Sequence, residues 1–199
     1  MTRKEEILLA ALDLASEQGA GSVTLSMIAE RVGIKKPSLY NHFGSKEELF
    51  GEMYAFLREQ ARKSSDAGTA EPDFGEPLEE ILLGQLNGYL RFLSDRDMLR
   101  FFKVLYSERS TSPAAAEIML RETERMVNAV KSLFYALAVH GRMKNEDLDT
   151  AALTYAMTVH SLVDREMDRM TSGVSEPPAE ATADMRAFVG WFAAVTEVR

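Results

Sequence analysis

The sequence predicts an all-α protein: an N-terminal three-helix module built on a helix-turn-helix, then a larger C-terminal helical bundle, about nine helices in all. Three observations carry that class. Apolar residues recur at three- and four-residue spacing through the long segments. No segment shows strand alternation or an internal repeat. The run from Thr24 to Leu49 reads as a short helix, a tight turn, a second short helix and the start of a third. At 199 residues with 46% hydrophobic side chains, the chain has enough apolar material for a real core.

The first helix is expected from Thr2 to Gln18. Thr2 and Glu5 have capping-box spacing, and Ile7, Leu8, Ala11, Leu12 and Ala15 form one apolar stripe. Gly19 and Gly21 end it. Its task is to hold the next two helices together. Arg3 and Lys4 suit either phosphate contacts or a free tail.

In TLSMIAERVGIKKPSLYNHFGSKEEL, Leu25, Ile28, Ala29 and Val32 form the buried face of the second helix. Gly33 stands where the turn needs a residue that tolerates positive φ. Ile34, Leu39 and Phe43 resume the apolar spacing, which leaves Lys35, Lys36, Ser38, Tyr40, Asn41 and His42 for another face. Small Ala29 lets the two helices cross closely. Pro37 fits the first turn of the third helix, where its missing N–H has no partner to lose. Thr24 suits the N-cap of the second helix or a phosphate contact, and Ser38 and Asn41 suit base edges. Ser45 and Glu48 form a second capping box, opening a helix from Lys46 to Lys63 that buries Leu49, Phe50, Met53, Tyr54 and Leu57. Lys46 opposes the helix dipole in that first turn, and a bound phosphate would supply the missing anion.

These residues resemble the N-terminal signature of TetR-like transcriptional regulators. The matching positions are Thr24, Ile28-Ala29, Gly33, Leu39-Tyr40, His42-Phe43 and Lys46-Glu47, in register and at the family's distance from the N-terminus. Beyond them the chain matches the family in length and helical layout. Pro37, where the family more often has a small residue, and Lys35, near which it has a Ser, depart from the pattern and bear on base preference. The resemblance implies that Tyr40 and His42 meet the DNA backbone or a thymine methyl. The candidate DNA-binding set is Thr24, Lys35, Lys36, Pro37, Ser38, Tyr40, Asn41, His42 and Lys46. Residues 1–47 are then the DNA-binding domain and 48–199 a ligand-binding and dimerisation domain, joined by the Lys46–Lys63 helix.

Ser64 to Pro77 lacks periodicity and reads as a loop. Helices follow from Pro77 to Ser94, from Asp97 to Glu108, from Pro113 to Val139 and from Asp147 to Met170. The segment from Asp97 to Glu108 is apolar most of the way round, so neighbours should enclose it. Thr182 to Val198 is the last helix, and Phe188, Val189, Trp191, Phe192, Ala194 and Val195 cannot all face one core. A second copy of the chain is the economical partner, with Val163, Met167, Phe188, Trp191, Phe192 and Val195 at the interface. TetR-like proteins pair their last two long helices in this way, so the resemblance implies the same homodimer. It also implies a small-molecule pocket among the four helices from Pro77 to Met170. Leu86, Tyr89, Leu93, Phe102, Leu105, Tyr106, Met119, Met126, Tyr155, Val159 and His160 offer its lining, which suits an apolar or aromatic ligand. Core packing accounts for many of the same residues.

The net charge is −8, unevenly placed: residues 1–63 carry nine basic and nine acidic side chains, and the remainder carry 14 and 22. Lys35, Lys36 and Lys46 thus form a local basic face on an acidic protein, enough for a defined DNA site. The absence of Cys excludes disulfides, thiolate nucleophiles and zinc–thiolate sites. No apolar run approaches a membrane span and MTRKEEI lacks a signal-peptide core, so a cytoplasmic protein is expected. The three His residues are scattered, and Walker, GxSxG and HExxH motifs are absent, so neither an enzyme nor a cofactor is expected. Asp164, Glu166 and Asp168, interleaved with Arg165 and Arg169, read as a solvated salt-bridged face. The expected function is a homodimeric, ligand-responsive repressor on a near-palindromic operator. The alternative is an apolar-ligand carrier or adaptor whose helix-turn-helix packs against a protein, which the Lys35, Lys36, Tyr40 and Lys46 cluster disfavours.

Overall fold

A computed structural model describes residues 2–65, 72–174, 178 and 180–198. Among these, nine α-helices follow one another: α1 (Arg3–Gln18), α2 (Leu25–Val32), α3 (Lys36–Tyr40), α4 (Lys46–Ser65), α5 (Leu78–Leu93), α6 (Arg96–Glu108), α7 (Pro113–Val139), α8 (Leu148–Thr171) and α9 (Ala183–Thr196). A short 3-10 turn, Ala20–Ser22, joins α1 to α2. Among the described residues, Met143 and Glu197 also form an isolated antiparallel bridge just beyond α9.

The chain forms two compact units, residues 1–67 with 95–121 and residues 68–94 with 122–199. In the first, α1 is the hub on which α2, α4 and α6 pack. Ile7, Ala11 and Leu12 are fully enclosed there, together with Ile28, Leu39, Leu49, Phe101 and Leu105. The α1 capping box forms as expected, with Thr2 Oγ1 accepting from Glu5 N–H and Thr2 N–H donating to the Glu5 carboxylate at 2.7 Å. Helix α6 enters from far along the sequence. Asp95 caps it, accepting from Met98 N–H at 2.9 Å, and Met98, Phe101, Phe102, Val104 and Leu105 are buried as the enclosed pattern required. Helix α4 lies within this first unit.

The second unit has its core between α5, α7, α8 and α9, with Leu82, Leu86, Phe134, Leu137, Ala152, Tyr155, Met185 and Val189 at its centre. Tyr155 is wholly buried among Phe134, Phe188 and Phe192, and its hydroxyl donates to Leu82 O at 3.3 Å. The α7–α8 loop ties down the end of α9: Lys144 N–H donates to Thr196 O at 2.9 Å and Lys144 Nζ to Val195 O at 2.8 Å.

Two expectations need correction. The Ser45 cap is half a capping box: its hydroxyl accepts from Glu48 N–H at 3.0 Å, but the Glu48 carboxylate reaches on to Gly44 N–H at 2.7 Å. Glu166 is not part of a solvated face. It is buried between Arg165 and Arg169, 3.9 and 3.4 Å from its carboxylate, because its helix position turns inward where Asp168 turns out.

Candidate nucleic-acid interface

Backbone geometry aims the candidate face. Thr24 closes the start of α2, its hydroxyl accepting from Met27 N–H at 3.3 Å. Gly33 ends α2 in the left-handed region at φ 72°, and Ile34 N–H reaches back to Ala29 O at 2.9 Å. This is the Schellman closure, which a side-chain-bearing residue adopts only with strain. Lys35 then runs extended, and α3 starts with Pro37 in its first turn. So short a helix has one anchored side. Leu39 and Phe43 are buried, Leu39 completely. Lys35, Lys36, Pro37, Ser38, Tyr40, Asn41 and His42 are all exposed.

The result is one continuous surface of donors, acceptors and positive charge. The Lys36 ammonium lies 5.9 Å from the Tyr40 ring centroid, and Tyr40 is 47% exposed. Among the described residues no carboxylate pairs with Lys35 or Lys36, and both side chains are exposed to an outside partner. Neighbouring cations are already engaged. Arg31 forms a two-point bond with Glu17 at 2.9 and 3.4 Å, which holds the Glu17 carboxyl below its ordinary range and raises Arg31. Lys4 sits 3.1 Å from Glu52 and Arg3 pairs with Glu6.

Thr24 and Lys46 sit apart from that surface in role. The Thr24 hydroxyl is committed to its cap, although the residue is exposed. The Lys46 ammonium turns back to the carbonyl oxygens of Ala20 and Gly21 in the 3-10 turn, the latter at 3.5 Å. The anion that its position calls for is replaced by backbone oxygens.

The ligand candidates divide between the units. Phe102, Leu105, Tyr106 and Met119 belong to the first, where Phe102 and Leu105 are core. Leu86, Tyr89, Met126, Tyr155, Val159 and His160 belong to the second. Leu86, Met126, Tyr155 and Val159 are members of its apolar core, and the side chain of Leu93 lies outside the described residues. His160 differs: its Nδ1 is buried without a hydrogen-bond partner, as is Gln85 Oε1, while His160 Nε2 lies 3.7 Å from Asp164.

Of the interface candidates, Val163 and Phe192 fill the second unit's own core and Met167 and Phe188 are half-buried. Trp191 is 60% exposed and Val195 45%. Leu153 and Met157, one turn apart on α8, are also exposed apolar residues that the sequence did not single out. Helical spacing marks Leu148, Ala152, Tyr155, Val159 and Val163 as the inward stripe of α8, and it left Leu153 and Met157 unremarked on the other side.

Residues 7–53 match the model of the tetR family of bacterial regulatory proteins, and residues 80–195 match the C-terminal domain of AefR-like transcriptional repressors. The chain is 41% identical over 142 residues to the nucleoid occlusion factor SlmA of Vibrio vulnificus, an overlap of 66% of this chain and 61% of that protein. It is 25% identical over 125 residues to the HTH-type transcriptional regulator YhgD of Bacillus subtilis, 63% of each. Matches therefore span about three fifths of these relatives' lengths. Among solved structures, the Flavonoid-responsive Regulator FrrA superposes with a TM-score of 0.73 at 20% identity, covering 99% of this chain and 98% of that one. A TetR family regulator from Pseudomonas syringae pv. tomato gives 0.68 at 24% identity, with coverage of 98% and 97%.

Proposed function

The chain belongs to the TetR family of DNA-binding transcriptional regulators, a family and fold of regulators and not of enzymes, and from that premise we propose that it is a homodimeric, cytoplasmic repressor modulated by a small apolar or aromatic ligand. The observation that carries the DNA-reading role is α3: two buried anchors, Leu39 and Phe43, and every other side chain from Lys35 to His42 turned outward. In this reading Lys35, Lys36, Tyr40 and His42 meet phosphates, and Ser38 and Asn41 meet base edges beside Pro37. Thr24 and Lys46, engaged by their own chain, support that face from behind as the cap of α2 and the anchor of the 3-10 turn. Two such helices in a dimer would enter successive major grooves about 34–36 Å apart, which calls for a near-palindromic site.

The dimer is supported by Trp191 and Val195 on α9 and Leu153 and Met157 on α8, large apolar side chains left in water on neighbouring helices. The ligand-responsive role is supported by the second unit, where buried Gln85 Oε1 and His160 Nδ1 lack partners beside an aromatic-rich core. Polar groups of that kind orient an otherwise apolar ligand.

Selection from random-sequence duplexes tests the reading. Enrichment of a palindromic motif, bound by two chains per site, is the expected outcome, and recovery of no motif at modest salt overturns it.

A further inference from the structure

We propose that Glu108, the last residue of α6, is a positioning residue for DNA binding that acts through the backbone of Gly21. The inference rests on the DNA-reading role of α3. The 3-10 turn Ala20–Ser22 connects α1 to α2, so it sets the direction in which the helix-turn-helix leaves α1. Its peptide groups are gripped from two sides. Glu108 Oε1 accepts from Gly21 N–H at 3.2 Å, across 87 residues of sequence. From the other side, the Lys46 ammonium donates to the carbonyls of Ala20 and Gly21. The turn is thus fixed by the last residue of α6 and the first of α4.

A carboxylate at the end of a helix faces the negative pole of the helix dipole, a local disadvantage that a remote N–H donor offsets. Gly21 provides that donor and no side chain of its own. A Cβ built there would stand 3.7 Å from the Glu108 carboxylate.

A second anchor lies two turns earlier on α6. Arg100 Nη2 donates to the Asp13 carboxylate and, at 2.9 Å, to Ser16 Oγ, while Nη1 donates to Asp97 at 3.2 Å. Helix α6 is therefore tied to α1 through Arg100 and to the turn beyond α1 through Glu108. Apolar packing tolerates small sliding along a helix axis; a hydrogen bond to a single peptide N–H does not. A shift of α6 that draws Glu108 away frees one side of the turn, and the reader loses its fixed orientation.

The test uses the full chain, the operator selected as above, and two variants, Glu108→Ala and Glu108→Gln. The Gln amide oxygen still accepts from Gly21 N–H. The Ala variant is expected to bind about five- to twentyfold more weakly, in the usual range for coupled sites, at an unchanged melting midpoint. Its Gly21 amide should exchange faster with solvent while the amides of α2 keep their protection. The Gln variant should stay within about twofold of the parent, since the acceptor is retained. Parent-like binding by Glu108→Ala overturns the proposal alone. So does an equal loss in both variants, or a loss that tracks a lowered melting midpoint. Failure of the parent to select any site overturns the regulator reading, and this proposal with it.

Discussion

Tyr40 and Lys36 occupy the exposed side of a helix so short that packing constrains it only through Leu39 and Phe43. The ring holds its aromatic face beneath the ammonium, which limits the rotamers both must surrender on meeting DNA. Tyr40→Ala should weaken operator binding by roughly tenfold, the cost of one good contact of about 1–3 kcal/mol. Lys36→Ala should instead weaken all duplexes alike and flatten the dependence of log affinity on log salt by about one unit. Fluorescence titrations from 50 to 200 mM salt separate the two. Tyr155 makes a different prediction. Burial pushes its hydroxyl above the ordinary tyrosine range. The folded chain keeps that proton at a pH where the unfolded chain has released it, so the unfolded state binds fewer protons and stability falls as pH rises. Above pH ~10 the parent should lose about 1.4 kcal/mol per pH unit relative to Tyr155→Phe. Urea melts at stepped alkaline pH give the comparison, and parallel slopes for the two proteins would refute it.

Among the elements, most boundaries were legible because they are set locally. Thr2, Thr24, Gly33 and Pro37 each act within four residues of their own position, so spacing alone revealed the starts and the turn. Gly33→Ala tests the most demanding of these. It forces a left-handed conformation on a residue with a Cβ, at a cost of about 1–2 kcal/mol, with no crowding to add to it. A melting midpoint lowered by several degrees, with operator binding weakened in step, is expected; an unchanged midpoint would contradict the strained turn. The half-formed capping box at Ser45 was not legible, since choosing Gly44 N–H over Ser45 N–H depends on how the chain enters α4. Glu166 was misread for a related reason. Charge interleaving predicts solvent exposure on a free helix, whereas packing chose which side of α8 turned inward.

For the whole molecule, the proposed dimer would cover the exposed apolar residues of α8 and α9 and would carry two copies of the reader. Trp191→Glu paired with Leu153→Glu should convert the chain to monomers in sedimentation at micromolar concentration, because each charge would be buried without a partner. Binding to a full palindrome should then fall to the level of a half-site. A dimer that survives both substitutions would remove α8 and α9 from the interface. Neither the sequence nor its periodicity showed that α6, some eighty residues beyond α1, joins the same compact unit as the reader.

The sequence by itself determined the helical class, the helix-turn-helix, its caps and its outward-facing donors, all of which follow from spacings of three and four residues. Only the tertiary structure decided that Val163, Phe192 and Glu166 turn inward, that Leu153 and Met157 stay in water, and that Lys46 and Glu108 meet at one turn. Periodicity says that a helix has an apolar side. What that side packs against depends on contacts between residues far apart in sequence, and those exist only once the chain has folded.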